Sequence, residues 1–349
     1  MSTIPVVKSV LQKTFIAGCQ FNNGRSYEAH EVVVNDHGIQ RVFYQTPDGG
    51  IHAFTTDNYG AKWEGGNGYQ MVPPGRAKLE TPMATVMFTW NKQACSRTFY
   101  IGKNDEVRVF GVTGGRLNDG RLNGGSFVAA GHSCIGAVAW VDGNTPHIRI
   151  YFQAPDNHIQ EICFDGNSGE QYNNGHSFPT PLKGTALAFI CQPRSARDPG
   201  AKGIIIHGFY QHTDLRIMEI VWDGKWHPGY FINGDTPVES QTHITAAISS
   251  GKAIGQVCVY WTNSCGGFHS VTECIARDGI WQTPKLIAVC CSSSSSRLLA
   301  CAHIPDGSTQ TCVRLFFMGC NGLINDARRE NGHWGWGGKS GGQCQWLPF

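Results

Sequence analysis

Six times in 349 residues the chain returns to one pattern: an aromatic-rich alternating run, a turn, and a second alternating run. RVFYQTPDGGIHAF begins at Arg41, RTFYIGKNDEVRVF at Arg97 and RIYFQAPDNHIQEI at Arg149. HGFYQHTDLRIMEI begins at His207, CVYWTNSCGGFHSVTECI at Cys258 and RLFFMGCNGLINDA at Arg314. Each head lies 51 to 58 residues from the next, the even spacing of a repeat architecture. Alternation on both sides of a turn reads as a half-buried hairpin. Ahead of each hairpin is a short run of small and apolar residues: FIAGC near Ala17, PMATV near Ala84, IGAVAW near Ala137, GTALAF near Ala186, ITAAIS near Ala246 and LLACA near Ala300. A run without alternation suits a strand covered on both faces. After each hairpin come a further turn and a short fourth strand, as in VWDGKWHPGYF over 221–231. Six repeats of four antiparallel strands, with small residues innermost, predict one all-β domain over residues 1–349, a six-bladed β-propeller. Radial closure explains how so many sheets avoid exposed edges, whereas two stacked sandwiches would not give six near-equal periods. SSSSSR (292–297) falls between the fifth and sixth repeats and reads as an inter-blade loop.

Composition narrows the partners. A net charge of +2, with 15% of residues charged, leaves no electrostatic footprint for nucleic acid. MSTIPVVKSV lacks the charged start and apolar core of a signal peptide. No run of about 18 apolar residues predicts membrane insertion. The expected location is cytoplasmic, or the cell surface or exterior by a route without a signal peptide. Fourteen cysteines without an export signal read as reduced, mostly buried thiols. No Cys-x-x-Cys spacing occurs, so neither structural zinc nor another cofactor is expected.

The third hairpin carries a cation, Arg149, on its first strand and an anion, Glu161, on its second. A cross-strand ion pair worth about 0.2–1 kcal/mol is one reading; a binding pocket is the other. Counting from the other heads places Ala53, Val109 and Glu219 at the position of Glu161. A longer turn in the fifth repeat places Glu273 there, and the sixth repeat places Asn325. Aromatic residues follow: Trp222 and Trp226 in the fourth repeat, Trp281 in the fifth, Trp334 or Trp336 in the sixth and Trp63 in the first. The second repeat has Leu117, and the third Glu170 or Tyr172.

These residues resemble the fungal fucose-specific lectins of the Aleuria aurantia lectin type, over roughly residues 12 to 345. The likeness is strongest at SCIGAVAWVDGNTPHIRIYFQAPDNHIQEICFDGNSG (133–169), with WDGKW (222–226) matching the signature of the next repeat. The resemblance implies a six-bladed propeller that binds sugar in clefts between blades. One blade supplies Arg and Glu, the next supplies aromatic residues, and no metal takes part. It also implies fucosylated glycans or glycoproteins as partners, and a homodimer. The chemistry fits a sugar. An arginine fork donates to hydroxyls, a carboxylate accepts from them, and an indole gives a flat wall for C–H faces or a deoxy-sugar methyl.

By that scheme the cleft between repeats three and four is complete, with Arg149, Glu161, Trp222 and Trp226. The next would hold His207, Glu219, Ala276 and Trp281, having lost the arginine and one aromatic. Cys258, Glu273 and Arg328 with a tryptophan would form the fifth. Arg314, Asn325 and Trp63 would form the sixth, without its carboxylate. Arg41 with Ala53 and Leu117, and Arg97 with Val109 and Phe164, read as dead for fucose. His207, Glu219, Trp281, Glu273, Arg314 and Trp63 are thus degenerate sugar-binding candidates.

Two rival classes remain at this level. A sialidase-type glycosidase also uses a propeller, but FTTDNYGAKW (54–63) misses the Asp-box spacing by one residue and occurs once. Glycosidase catalysis needs two carboxylates facing one bond, and the complete cleft offers one. GHWGWGGKSGG (332–342) misplaces the first glycine of a phosphate loop, and G-x-S-x-G is absent. The reading is therefore a lectin without catalysis, with a protein-interaction platform as the other alternative.

Overall fold

The computed structural model describes residues 17–20, 40–57, 62–91, 93–113, 116–123, 125–166, 171–194, 202–249, 256–265, 268–277, 279–291, 298–303, 312–318, 324–330 and 333–336. The SSSSSR segment and Glu170 lie outside them. The described residues are all-β, and their strands form six antiparallel sheets. Two compact units, Met1–Gly184 and Thr185–Phe349, hold three sheets each.

In the first unit, sheet 1 is β1 (Ala17–Gln20), β2 (Gln40–Gln45), β3 (Ile51–Asp57) and β4 (Lys62–Val72). Sheet 2 is β5 (Met83–Trp90), β6 (Gln93–Ile101), β7 (Val107–Thr113) and β8 (Arg116–Arg121). Sheet 3 is β9 (Ile135–Asp142), β10 (Thr145–Gln153), β11 (Ile159–Asp165) and β12 (Tyr172–Ser177). In the second unit, sheet 4 is β13 (Ala188–Pro193), β14 (Ile204–Gln211), β15 (Ile217–Trp222) and β16 (Trp226–Phe231). Sheet 5 is β17 (Ile244–Ser249), β18 (Gln256–Cys265), β19 (Phe268–Arg277), β20 (Ile280–Trp281) and β21 (Lys285–Cys291). Sheet 6 is β22 (Leu298–His303), β23 (Cys312–Met318), β24 (Ile324–Glu330) and β25 (His333–Trp336). Every repeat thus forms the expected four-stranded meander. In sheet 5 the outer place is shared by β20 and β21, both paired with β19.

Within each unit the first strands of consecutive sheets are neighbours: β1 with β5 and β5 with β9, then β13 with β17 and β17 with β22. The small residues predicted there leave room for this crowding. Apolar side chains then fill the space between sheets. Ile148, Ile150, Phe152 and Ile162 of sheet 3 pack on Val86, Phe99 and Val107 of sheet 2. Each such side chain, fully buried, contributes roughly 1.5–3 kcal/mol.

A buried glutamine ties three of the hairpins to the segment that follows. Gln153 Nε2 donates to the Leu182 carbonyl, and its Oε1 accepts from Gly184 N–H. Gln211 does the same with Glu239 and Gln241, and Gln45 with Lys78 and Thr81. The Gln of the repeated Phe/Tyr-Gln motif is therefore a clamp that gives an irregular connection its hydrogen bonds.

Candidate functional site

Register decides which side chains share a face. Arg149 lies opposite Cys163, and Tyr151 lies opposite Glu161. All four therefore point to one side of sheet 3, away from the Ile148–Ile150–Phe152 core against sheet 2. Arg149 takes Asp165 as its ion partner instead of Glu161. Its Nη1 donates to Asp165 Oδ1 at 3.0 Å and to the carbonyls of Ile148 and Phe164. The guanidinium carbon sits 5.0 Å from the centre of the Trp140 ring, which stacks in turn on His147. His147 Nδ1 lies 2.5 Å from Asp165 Oδ1. Burial works against the Asp165 charge, but hydrogen bonds from His147 and Arg149 hold its carboxyl below the usual range. The fork is thus fixed on one edge, while Nε and Nη2 have no acceptor among the described residues.

Glu161 is positioned by a backbone irregularity. The β11–β12 register shifts between Gln160 and Ile162, a bulge that re-aims the chain. Here Gly175 passes so close that a Cβ would lie 2.4 Å from Glu161 Oε2. That approach lets His176 N–H donate to Oε2 at 3.0 Å, while the Tyr151 hydroxyl donates to Oε1 at 3.0 Å. Burial, followed by the Glu161 charge, pushes the Tyr151 phenol up, so it stays a donor. Burial also pushes the Cys163 thiol up to about 12. Cys163 is therefore neutral, and Glu161 with Asp165 supply the negative charge.

Sheet 4 repeats this face and closes it. His207 stands where sheet 3 has Arg149, Phe209 where it has Tyr151, and Glu219 faces Phe209. His207 Nδ1 lies 2.8 Å from Glu219 Oε1, and Trp281 Nε1 of sheet 5 donates to Glu219 Oε2 at 3.1 Å. Phe209 meets Trp281 edge-on with centroids 5.7 Å apart. With His207 1% and Glu219 4% exposed, protein groups occupy both carboxylate oxygens and the indole.

Between sheets 5 and 6 the cation comes from the other side. Tyr260 faces Glu273, and Cys258 holds the Arg149 position. Arg329 of sheet 6 approaches Glu273 Oε1 at 3.6 Å and Cys258 Sγ at 3.6 Å. Burial opposes the Arg329 charge, but Glu273 beside it keeps the guanidinium protonated. The sequence count had placed Arg328 here. The hairpin register instead pairs Arg329 with Trp334, and Trp334 meets Tyr260 edge-on.

The same register corrects a second count. Phe316 faces Asp326, whereas Asn325 faces Phe317. The position of Glu161 in sheet 6 is therefore held by Asp326, and the sixth repeat keeps an acid alongside Arg314. Trp63 pairs with Thr56 at the equivalent end of sheet 1. The side chains of Arg314, Asn325, Asp326 and Trp63 lie outside those described.

Trp222 and Trp226 face each other across the β15–β16 turn, both partly exposed. Arg149 and Glu161 belong to the first unit and this pair to the second. The equivalent end of sheet 3 is the Phe164–Tyr172 pair, which lines a cavity over Arg97 and Val109 of sheet 2. Ala276–Trp281 and Arg329–Trp334 are the equivalents in sheets 5 and 6. At three of the four junctions within the units, those whose closing-pair side chains are described, the closing pair of one sheet lies on the head-residue face of the sheet before it.

The fungal fucose-specific lectin family model matches residues 27–343. The chain belongs to the fungal fucose-specific lectin family. The fucose-specific lectin of Aleuria aurantia is 28% identical over 255 residues, covering 71% of this chain and 73% of that lectin. Among solved structures, AofleA from Arthrobotrys oligospora aligns with a TM-score of 0.76 at 21% identity, covering 97% of this chain and 88% of the other. Aleuria aurantia lectin, described as a six-bladed β-propeller with a novel fucose recognition mode, aligns at 0.73 and 22%, covering 95% and 96%. These likenesses establish a β-propeller fold. As a member of the fucose-specific lectin family the protein is a carbohydrate binder that recognises fucose, and not an enzyme.

For a lectin of this family, the residues that sequence reasoning missed are supports. Asp165, Trp140 and His147 lock Arg149, while Tyr151, Gly175 and His176 aim Glu161. Asp165 and Tyr151 follow from pairing the hairpin about its PDN turn, because period-two alternation places them beside Arg149 and Glu161. The Gly175 bulge leaves no such trace.

Proposed function

We propose that the chain is a single six-bladed propeller lectin whose principal fucose contacts are Arg149 and Glu161, with Trp222 and Trp226 as the apolar wall. The observation that carries this reading is the unspent side of Arg149, a fork held rigid by Asp165 and Trp140 on the same face as a bulge-fixed carboxylate. Arginine nitrogens without an acceptor among the described residues, beside a fixed carboxylate, suit the alternating hydroxyls of a sugar edge. The closing pairs at three of the four junctions within the units support the same role for Trp222 and Trp226. A single site of this kind binds at about 10 µM to 1 mM, so useful avidity on a fucosylated surface calls for a dimer or a second site. Solution scattering checks the dimer, and a monomer mass removes it. Titration of methyl α-L-fucoside against wild type and Arg149→Ala tests the site: heat in the first and none in the second is expected. Equal heat in both overturns the assignment.

A further inference from the structure

The cleft between sheets 2 and 3, which the sequence reads as dead for fucose, is open. A cavity of about 280 Å³ lies there, lined by Arg97, Val109 and Gly111 of sheet 2 and by Phe164 and Tyr172 of sheet 3, with Arg121 at its rim. This is near the lower end of small-ligand site volumes. Arg97 occupies the Arg149 position, and Val109 occupies that of Glu161. Gly111 opposite Arg97 makes room for the guanidinium, since a Cβ there would lie 2.7 Å from Arg97 Nη1. Arg97 Nη1 donates only to neutral groups, the Ser96 carbonyl and Thr113 Oγ1. Among the described residues no carboxylate lies within ion-pair distance of it. Arg121, 73% exposed, shares Glu106 with Arg108, so one anion serves two cations.

The charge balance therefore differs from sheet 3, where Arg149 has Asp165 in contact and Glu161 on its face. A neutral sugar offers its hydroxyl edge to donors and acceptors together, and Val109 removes the acceptor. What remains is a guanidinium fork without an anion among the described residues, beside an aromatic pair with ring centroids 5.0 Å apart. Arginine forks match carboxylates and sulfates in charge and geometry, and aromatic faces take the C–H side of a pyranose. We propose that this cleft is a second saccharide site, selective for a terminal sugar carrying a carboxylate or sulfate.

Full-length protein titrated with methyl β-D-glucuronide and with the 6-sulfate of methyl β-D-glucoside tests this, with neutral methyl β-D-glucoside as the reference. At least one acidic sugar is expected to bind about tenfold or more tightly than the neutral one, and to weaken as salt rises. Which one binds distinguishes carboxylate from sulfate. Arg97→Gln and Val109→Glu are each expected to remove the preference, the first by deleting the cation and the second by neutralising it. Melting curves confirm that each variant is folded. Acidic sugars that bind no better than the glucoside overturn the proposal. So does an acid preference unchanged in both variants. Fucoside binding reads the Arg149 site separately, so either assignment can fail without the other.

Discussion

The same glutamate sits at the same register in sheets 3 and 4, and its surroundings decide what it can do. In sheet 3, Arg149 is anchored through one nitrogen to Asp165 and stacked on Trp140, leaving the rest of its fork unspent. In sheet 4 the shorter His207 reaches Glu219 directly, and Trp281 of the next sheet donates to the other oxygen. Glu161 is nearly as buried as Glu219, so the difference lies in the cation: the Arg149 fork keeps nitrogens without an acceptor among the described residues, whereas the sheet 4 network is complete within the protein. Sheet 5 takes a third route: Arg329 of the neighbouring sheet stands in for the arginine lost at Cys258, 3.6 Å from Glu273, while Glu273 Oε1 and Arg329 Nε stay without a hydrogen bond among the described residues. A retained carboxylate therefore does not by itself mark a retained site; what matters is whether its partners are spent on each other.

Paired substitutions in sheets 3 and 4 separate the two roles, beginning with the largest effect. Arg149→Ala is expected to weaken methyl α-L-fucoside binding by about 100-fold, as for a lost charged hydrogen-bonding partner. His207→Ala is expected to leave binding within about twofold but lower stability by roughly 1–3 kcal/mol, because it strips a buried acceptor of its donor; calorimetry and urea unfolding read the two. Next, Gly175→Ala drives a methyl group into Glu161, with about a tenfold loss of affinity expected. Gly229→Ala makes the same collision with Glu219, 2.6 Å from Oε2, and is expected to cost about 1–3 kcal/mol of stability with no change in binding. Removal of one indole donor by Trp281→Phe is expected to cost about 1 kcal/mol, again without touching fucoside affinity.

The smallest effect comes from Asp165→Asn. Asp165 is half-exposed, so its ion pair is worth less than about 1 kcal/mol. The folded chain holds this carboxyl below its ordinary value. Its contribution is therefore present above the unfolded pKa and lost as pH falls through the folded one. Wild type is expected to melt slightly above the variant at pH 7, with the gap narrowing at pH 3. A gap that widens on acidification contradicts the assigned pairing.

Much of this was legible in the sequence because period-two alternation and turn residues are strong local signals. They placed all six hairpins, the small-residue inner strands and the shared face of Arg149 and Glu161. Counting failed where hairpin register, not residue number, sets the face. Asn325 and Arg328 each stand one residue from the positions that Asp326 and Arg329 occupy. Closure of the Glu219 face was unreadable for a different reason. It depends on an indole from a strand 62 residues away, and only packing brings that group to the carboxylate. The open cavity over Arg97 was missed because a valine at the acid position looks like loss, whereas the neighbouring glycine that keeps the space open carries no chemistry of its own.

The most direct measurement is a calorimetric titration of methyl α-L-fucoside against wild type, Glu161→Ala and Glu219→Ala under one buffer condition. Binding retained in wild type and Glu219→Ala but absent in Glu161→Ala is the predicted result. Loss of binding in Glu219→Ala with retention in Glu161→Ala would contradict the assignment and place the sugar at the face described here as closed.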